Sequence, residues 1–578
     1  KNNDKELRRS AKELVRKQVH RYSTLYHQRG QKRNQDRSLS TAMRIYQLYL
    51  GYFPRDKVSY NIRFYLADIY MHFKMYEKAA NSYKKVALTT KKGKYFNDAS
   101  LSMVAAINTL VNSKKWPKVP AFGKVKRPIL IPREKKKLID IIDIFVGLRP
   151  KDKASYPMMF TAAKTFFDYG HYKEGLGRFQ DIALKLPKQV QGQTALKTVL
   201  TFHSGRKEWR TVISKSRMFL SLEAVRSGKI KVIVVGHLKN AMFKQASLYA
   251  NNKKYGKAAK LFLAYQSDFP KDQDSDEALY NAAINYYKMA AVDEALEVDQ
   301  KLITFYPKSS LIPDVNLNIA RTYEAIADFP KAAKYYREFS RRFPKDKRSS
   351  AALYNAATIL KGMKQYEASA RHFMTYVKMY PSRPNVSSAW FECGNLFEMS
   401  KDYRSAISAF QNYLSVHKGS IDRKLYVQAK VAELQLYYVD SNSGSKSIQR
   451  LASFFRKEGK IAAFEARRIV AGAIFRSISS DVKRFIASKI RSAASLEGDV
   501  QSMQSSLLSI ADKLQRVISV GSGEYVVASL FSLGEVHESF AEKLFRAPPP
   551  RGANQVTIDQ YRSSIEKVAF PLKEEAFK

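Results

Sequence analysis

Between residues 241 and 417 the apolar positions recur on two periods at once. Within Asp276–Pro307, Leu279, Ala283, Tyr286 and Tyr287 fall at helical spacing, the pattern breaks around Ala290–Asp293, and it resumes as Ala295, Val298, Leu302 and Phe305. That alternation predicts two helices joined by a short turn. Pro307 ends the second, because proline lacks the N–H and clashes with the preceding turn. The longer period is 37 residues: 307 − 270 = 344 − 307 = 381 − 344, with Phe269, Tyr306, Phe343 and Tyr380 preceding Pro270, Pro307, Pro344 and Pro381. The same step runs through the small residues Ala246, Ala283, Ala320, Ala357 and Gly394. It also carries Tyr249, Tyr286, Tyr323, Leu360 and Phe397, and Ala258, Ala295, Ala332, Ser369 and Ala406. A fixed period of this size marks one supersecondary unit stacked many times. The small columns let paired helices approach closely, and the aromatics fill the grooves between hairpins.

The rest of the chain divides around this block. Residues 1–113 read as a basic N-terminal helix followed by repeats, with Gly30, Ala42, Tyr46 and Pro54 and then Ala67, Ala79 and Tyr83 in register. Residues 114–134 carry Pro117, Pro120, Pro128 and Pro132, which exclude a regular helix and predict an extended loop inserted in one hairpin, outside the helical stack. Residues 135–240 return to the period at Pro150 and Pro187 and then degenerate around Trp209. Residues 241–420 are the regular block. In 421–578, Ser441–Ser447 reads as a linker, Glu524–Arg546 as an amphipathic helix, Ala547–Pro550 as a bend, and Gln560–Phe577 as a last helix. The predicted class is all-α, an α-α superhelix of antiparallel helical hairpins.

In one repeat the large, small, aromatic, Ala and aromatic positions are Trp390, Gly394, Phe397, Ala406 and Phe410, with Lys418 where proline is usual. In the repeat before they are Leu353, Ala357, Leu360, Ser369, Phe373 and Pro381. This set resembles the tetratricopeptide repeat (TPR), whose unit is about 34 residues, here with a longer turn between hairpins. The long turn and the YP/FP endings look like the bacterial envelope branch, typified by the outer-membrane assembly lipoprotein and the Tol–Pal accessory protein. The C-terminal stretch looks like TPR proteins of the gliding-motility machinery in gliding and predatory Gram-negative bacteria. These resemblances imply a non-enzymatic scaffold binding protein partners, periplasmic or outer-membrane-associated, within an envelope assembly such as a motility or secretion machine. In the TPR family the first helix of each hairpin lines a groove whose asparagines hold extended peptides. Asn281, Asn318 and Asn355 stand one period apart on those helices, with Asn285 and Arg321 one turn further on.

Charge sharpens the partner class. The 101 Lys and Arg against 52 Asp and Glu leave +49, with a pI near 10.0. Such a surface favours acidic protein segments, a membrane surface or another polyanion. The basic residues Arg8, Arg9, Lys12, Arg16 and Lys17 of the first helix are candidate polyanion contacts. The alternative is a cytoplasmic or nuclear TPR protein binding RNA, for which the net charge is the chief argument.

Candidate chemistry is nearly absent. The histidines are scattered, neither a metal-ligand spacing nor a catalytic constellation occurs, and no cofactor or small-molecule substrate is expected. Asp272, Asp274 and Asp276 lack the glycine and terminal glutamate of a calcium loop, and read instead as caps of the helix starting near Asp276. The single cysteine, Cys393, falls on a hairpin core position and provides no disulfide framework. No run approaches the roughly 20 apolar residues of a membrane span. The chain opens at Lys1 rather than Met, so sequence upstream of it, where any targeting segment would lie, is expected to be missing.

Overall fold

The computed structural model describes residues 2–578 apart from Phe122. Among the described residues there are 27 α-helices and no strand. They fall into two compact units, residues 1–298 and 299–578.

In the first unit the hairpins are α1 (Asn2–Arg33) with α2 (Asp36–Tyr52), α3 (Ser59–His72) with α4 (Tyr76–Thr89), and α5 (Phe96–Asn112) with α6 (Arg133–Leu148). Next come α7 (Ser155–Asp168) with α8 (Tyr172–Lys185), and α9 (Val190–Gly205) with α10 (Trp209–Leu220). A single turn, α11 (Glu223–Arg226), leads to α12 (Lys231–Asn251), α13 (Tyr255–Asp268) and α14 (Ser275–Tyr287). The dividing line falls inside α15 (Val292–Phe305). The second unit begins with three regular hairpins: α16 (Ile312–Ala325) and α17 (Phe329–Arg342), α18 (Ser349–Gly362) and α19 (Tyr366–Met379), α20 (Val386–Met399) and α21 (Tyr403–Val416). It continues through α22 (Ile421–Leu434), α23 (Ser441–Glu458), α24 (Phe464–Ala487), α25 (Leu496–Ile518), α26 (Gly523–Phe545) and α27 (Gln555–Phe577). The fold is all-α, a repeat arrangement of antiparallel hairpins.

The small columns sit where paired helices touch: Ala320, Ala332, Ala357 and Ala406 are all fully buried. Gly394 belongs to the same set, since a Cβ there would run into the Phe410 ring. Cys393 is buried beside it, and burial pushes its thiol pKa well above the ordinary value.

Both kinds of turn repeat in atomic detail. Inside each regular hairpin the first helix closes with two backbone bonds. In the last of them, Asp402 N–H donates to Phe397 O (2.9 Å) and Lys401 N–H to Glu398 O (3.0 Å). The pair requires one residue in the left-handed region. Lys74, Lys207, Lys253, Ala290, Ala327, Lys364 and Lys401 hold that place, at φ 57° to 63°. Lysine there carries a positive charge at a helix C-terminus, where the backbone dipole favours it. Between hairpins, the Ser59, Ser155, Ser275 and Ser349 hydroxyls, fully buried, donate to carbonyls six residues earlier, as in Ser155 Oγ to Arg149 O (2.7 Å). An aspartate inside the same turn accepts a backbone N–H, as Asp56 does from Val58 (2.9 Å) and Asp346 from Arg348 (2.8 Å).

That turn corrects the reading of the acidic triplet. Asp272 is the turn aspartate, accepting from Asp274 N–H, the Tyr265 hydroxyl and Lys239. Asp274, at the N-cap of α14, makes no side-chain capping bond, and Asp276 accepts its neighbour's N–H, from Glu277 (2.8 Å).

The proline-rich segment between α5 and α6 is non-helical, as its prolines require. It is not detached. Val125 is buried, Ile129 N–H donates to Tyr169 O (2.8 Å), and His171 Nε2 lies 3.0 Å from Ile129 O. Gly170, at φ +80°, leaves room for Val125, which a Cβ would strike.

Two expectations near the C-terminus change. Ser441–Ser447 is the opening of α23, because Asp440 accepts from the Asn442 and Ser443 N–H groups (3.1 and 2.9 Å) and nucleates a helix from residues that suit first turns. The last helix starts at Gln555 rather than Gln560, since Asn554 caps it through Thr557 N–H (2.9 Å).

Candidate protein-binding surfaces

In the second unit the first helices of successive hairpins present matching positions. Asn318 and Asn355 are followed one period on by Glu392; Arg321 by Thr358 and Asn395; Glu324 by Lys361 and Glu398. Arg321 and Asn355 are exposed and Asn318 is half-buried. The columns are cross-braced. Lys361 pairs with Glu392 at 2.6 Å and Lys430 with Glu398 at 2.7 Å. Tyr336 donates its hydroxyl to Glu324 (2.5 Å). Burial, reinforced by that carboxylate, pushes the Tyr336 phenol up to about 12, while Asn355 and Arg321 pull the other way. Asn355 and Arg321 therefore belong to one polar cluster around Tyr336. Asn395 extends the same face; its period partners are Thr358 and Arg321, so an asparagine-only search passes over it.

In the first unit Asn281 is half-buried on α14. Asn285 does not share its face. It is 3% exposed, its amide donates to Asn281 O (2.7 Å), and its Oδ1 is buried without a partner. Four residues is a little more than one turn, and here the extra rotation carries the side chain into the core.

The basic residues of α1 do not form one free strip. Arg16 is pinned to Asp56 at 2.6 Å, a bond that raises the guanidinium pKa. Arg8 reaches Asp4 (3.5 Å), Lys17 reaches Glu13 (3.8 Å), and Lys12 lies 5.8 Å from the Phe53 ring centre. Arg9 is exposed. Among the described residues no group of three His, Cys, Asp or Glu side chains is placed to hold a metal ion, and no helix is long and apolar enough to cross a membrane.

This hairpin stack defines a class of repeat protein. Residues 240–272, 277–309 and 314–346 match the tetratricopeptide repeat family, and this part of the chain carries those repeats. The matched stretches lie in the regular block; the hairpins α18/α19 and α20/α21 continue its period beyond them. No curated protein sequence matches the chain. Among solved structures, it is similar to a tetratricopeptide repeat protein from Parabacteroides merdae, at 13% identity over 52% of this chain and 98% of that one, TM-score 0.23. It is also similar to Pseudomonas aeruginosa pilF, at 14% identity over 40% of this chain and 97% of that one, TM-score 0.21. A third is PilW, a type IV pilus biogenesis factor, at 14% identity over 39% of this chain and 95% of that one, TM-score 0.20.

Proposed function

We propose that this protein is a non-enzymatic scaffold that binds extended, acidic segments of other proteins along the first helices of its hairpins. The observation that carries the reading is the recurrence of amide and basic side chains at equivalent positions of a stiff repeat, Asn318, Asn355, Arg321 and Asn395 in the second unit and Asn281 in the first. Side-chain amides both donate and accept, so they satisfy the main chain of an extended peptide whatever its sequence. A net charge of +49 draws acidic segments and speeds encounter. The setting we propose is a Gram-negative envelope assembly, periplasmic or at the outer membrane, on the strength of the 37-residue period and the YP/FP turns.

The test treats each unit by itself. A neutral hydrogen bond contributes about 0.5–1.5 kcal/mol net, so Asn318→Ala/Asn355→Ala is expected to lower recovery of the partner from envelope extract by about one to two decades in affinity. Asn281→Ala is expected to cost less. Equal recovery by wild type and variants of matched helicity overturns the groove reading. The second reading, a polyanion binder for RNA, is favoured by the net charge alone. It predicts tight binding to unrelated RNA with a steep fall as salt rises.

A further inference from the structure

The first helix carries a largely apolar seam that no described residue of its own unit covers. Every residue from Asp4 to Val15 is exposed. Leu7 is 73% exposed, Leu14 61% and Leu25 54%. With Ala11, Gln18 and Arg21 between them, positions 7, 11, 14, 18, 21 and 25 step by 4, 3, 4, 3 and 4, the 3.5-residue repeat of a helix that meets another helix lengthwise, apolar at Leu7, Ala11, Leu14 and Leu25 and polar at Gln18 and Arg21. The seam spans about 27 Å at 1.5 Å per residue. Beside it, Val15, Val19 and Tyr22 of α1, Leu48 and Tyr52 of α2 and Phe53 just after it line an open apolar cleft of about 470 Å³. The next hairpin shows that this is not a general property of second helices, for the period partners of Leu48 and Tyr52 are Lys85 and Thr89. The exposed half of α1 is also held in direction, by the Arg16–Asp56 ion pair.

We propose that this seam docks an acidic amphipathic helix of a partner protein. Three features single out that occupant. Helix α1 has ten Lys and Arg against three Asp and Glu, 10 − 3 = +7, so a second copy of α1 laid along it meets like charge. A nucleic-acid backbone satisfies the cations and leaves the leucines in water. A bilayer surface calls for a wide apolar face, whereas an a/d stripe is the narrower seam of helix pairing. Arg8 and Lys17 flank the stripe, where they meet the e and g positions of a partner, and Arg21 stands within it as a further cation for an acidic partner. The inference rests on the scaffold reading but uses a different surface from the asparagine columns.

The experiment titrates the full chain into a labelled 28-residue synthetic helix with Leu at a and d and Glu at e and g, followed by fluorescence anisotropy. Its like-charged flanks keep the probe from pairing with itself. A control peptide keeps every Glu and replaces the seam Leu with Ser. The Leu peptide is expected to bind at least about tenfold more tightly than the control, and Leu7→Ser/Leu14→Ser is expected to lose about the same factor. Asn318→Ala/Asn355→Ala is expected to bind this probe like wild type, which separates failure here from failure of the groove. Equal binding of the two peptides overturns the proposal in favour of a purely electrostatic strip. So does binding to phosphatidylserine vesicles that is tighter than to the Leu peptide and is lost in Leu7→Ser/Leu14→Ser. Sedimentation showing a dimer of the chain that this double variant dissolves assigns the seam to a second copy and overturns it as well.

Discussion

A lysine at φ near +60° is an uncommon choice, and the hairpin turns make it repeatedly. Lys401 is held at φ 63° because Phe397 and Glu398 need their carbonyls closed by the next two N–H groups. An L-residue in that region costs about 1–2 kcal/mol, which glycine avoids. Lys401→Gly is therefore expected to raise stability by about 0.5–1 kcal/mol after glycine's larger unfolded-state entropy is counted. A urea midpoint shift measures it. No gain would mean that the lysine charge at the helix end offsets the backbone strain. Between hairpins the acidic residues act through charge. Arg348, by its side chain and its backbone N–H, holds Asp346 down to about 2 from an ordinary 3.8. A depressed folded pKa stabilises above the unfolded value and is lost as pH falls through the folded one. The contribution is thus present above 3.8 and disappears toward about 2. Asp346→Asn is expected to flatten the fall in denaturant midpoint across that window, while leaving the slope above pH 5 alone.

Packing sets the expectations for whole elements. Ala320 is fully buried on α16. Ala320→Phe is expected to overpack it and cost about 1–3 kcal/mol. Unchanged thermal stability would displace the register of the columns. The segment between α5 and α6 is tied down at Val125 and Ile129 against the turn after α7. Val125→Ser is expected to leave helix content unchanged and to make residues 113–132 more rapidly cleaved by trypsin, which reads local release rather than unfolding. Gly170→Ala is expected to do the same from the other side, since it strains φ +80° and collides with Val125.

Across the whole molecule, +49 means that the folded chain repels itself. Raising salt from about 0.01 M to 0.3 M shortens the screening length from about 30 Å to under 10 Å. Thermal stability is expected to rise over that range, because relief of net repulsion outweighs the loss of surface ion pairs, each contributing about 1 kcal/mol or less. A fall in the midpoint would show that pairs such as Lys361–Glu392 matter more than the net charge.

The sequence alone determined the all-α hairpin stack, its 37-residue register and the burial of Ala283, Ala320, Ala357 and Cys393. Those follow from periodicity, which the chain writes directly in its order of small and large apolar residues. Other features were decided only in three dimensions. Asn285 lies four residues after Asn281, and only the helix's rotation against its neighbours sends one half out and the other into the core. Arg16 reads as a free cation until folding brings Asp56, forty residues away, to its guanidinium. Ser441–Ser447 has linker composition, yet one capping aspartate makes it helix. Asn355 and Tyr336 meet, and Val125 finds Gly170, through contacts between separate elements. A pattern along one helix fixes which face is apolar; it does not fix which partner arrives there, because that depends on the angle and depth at which the next helix or loop packs.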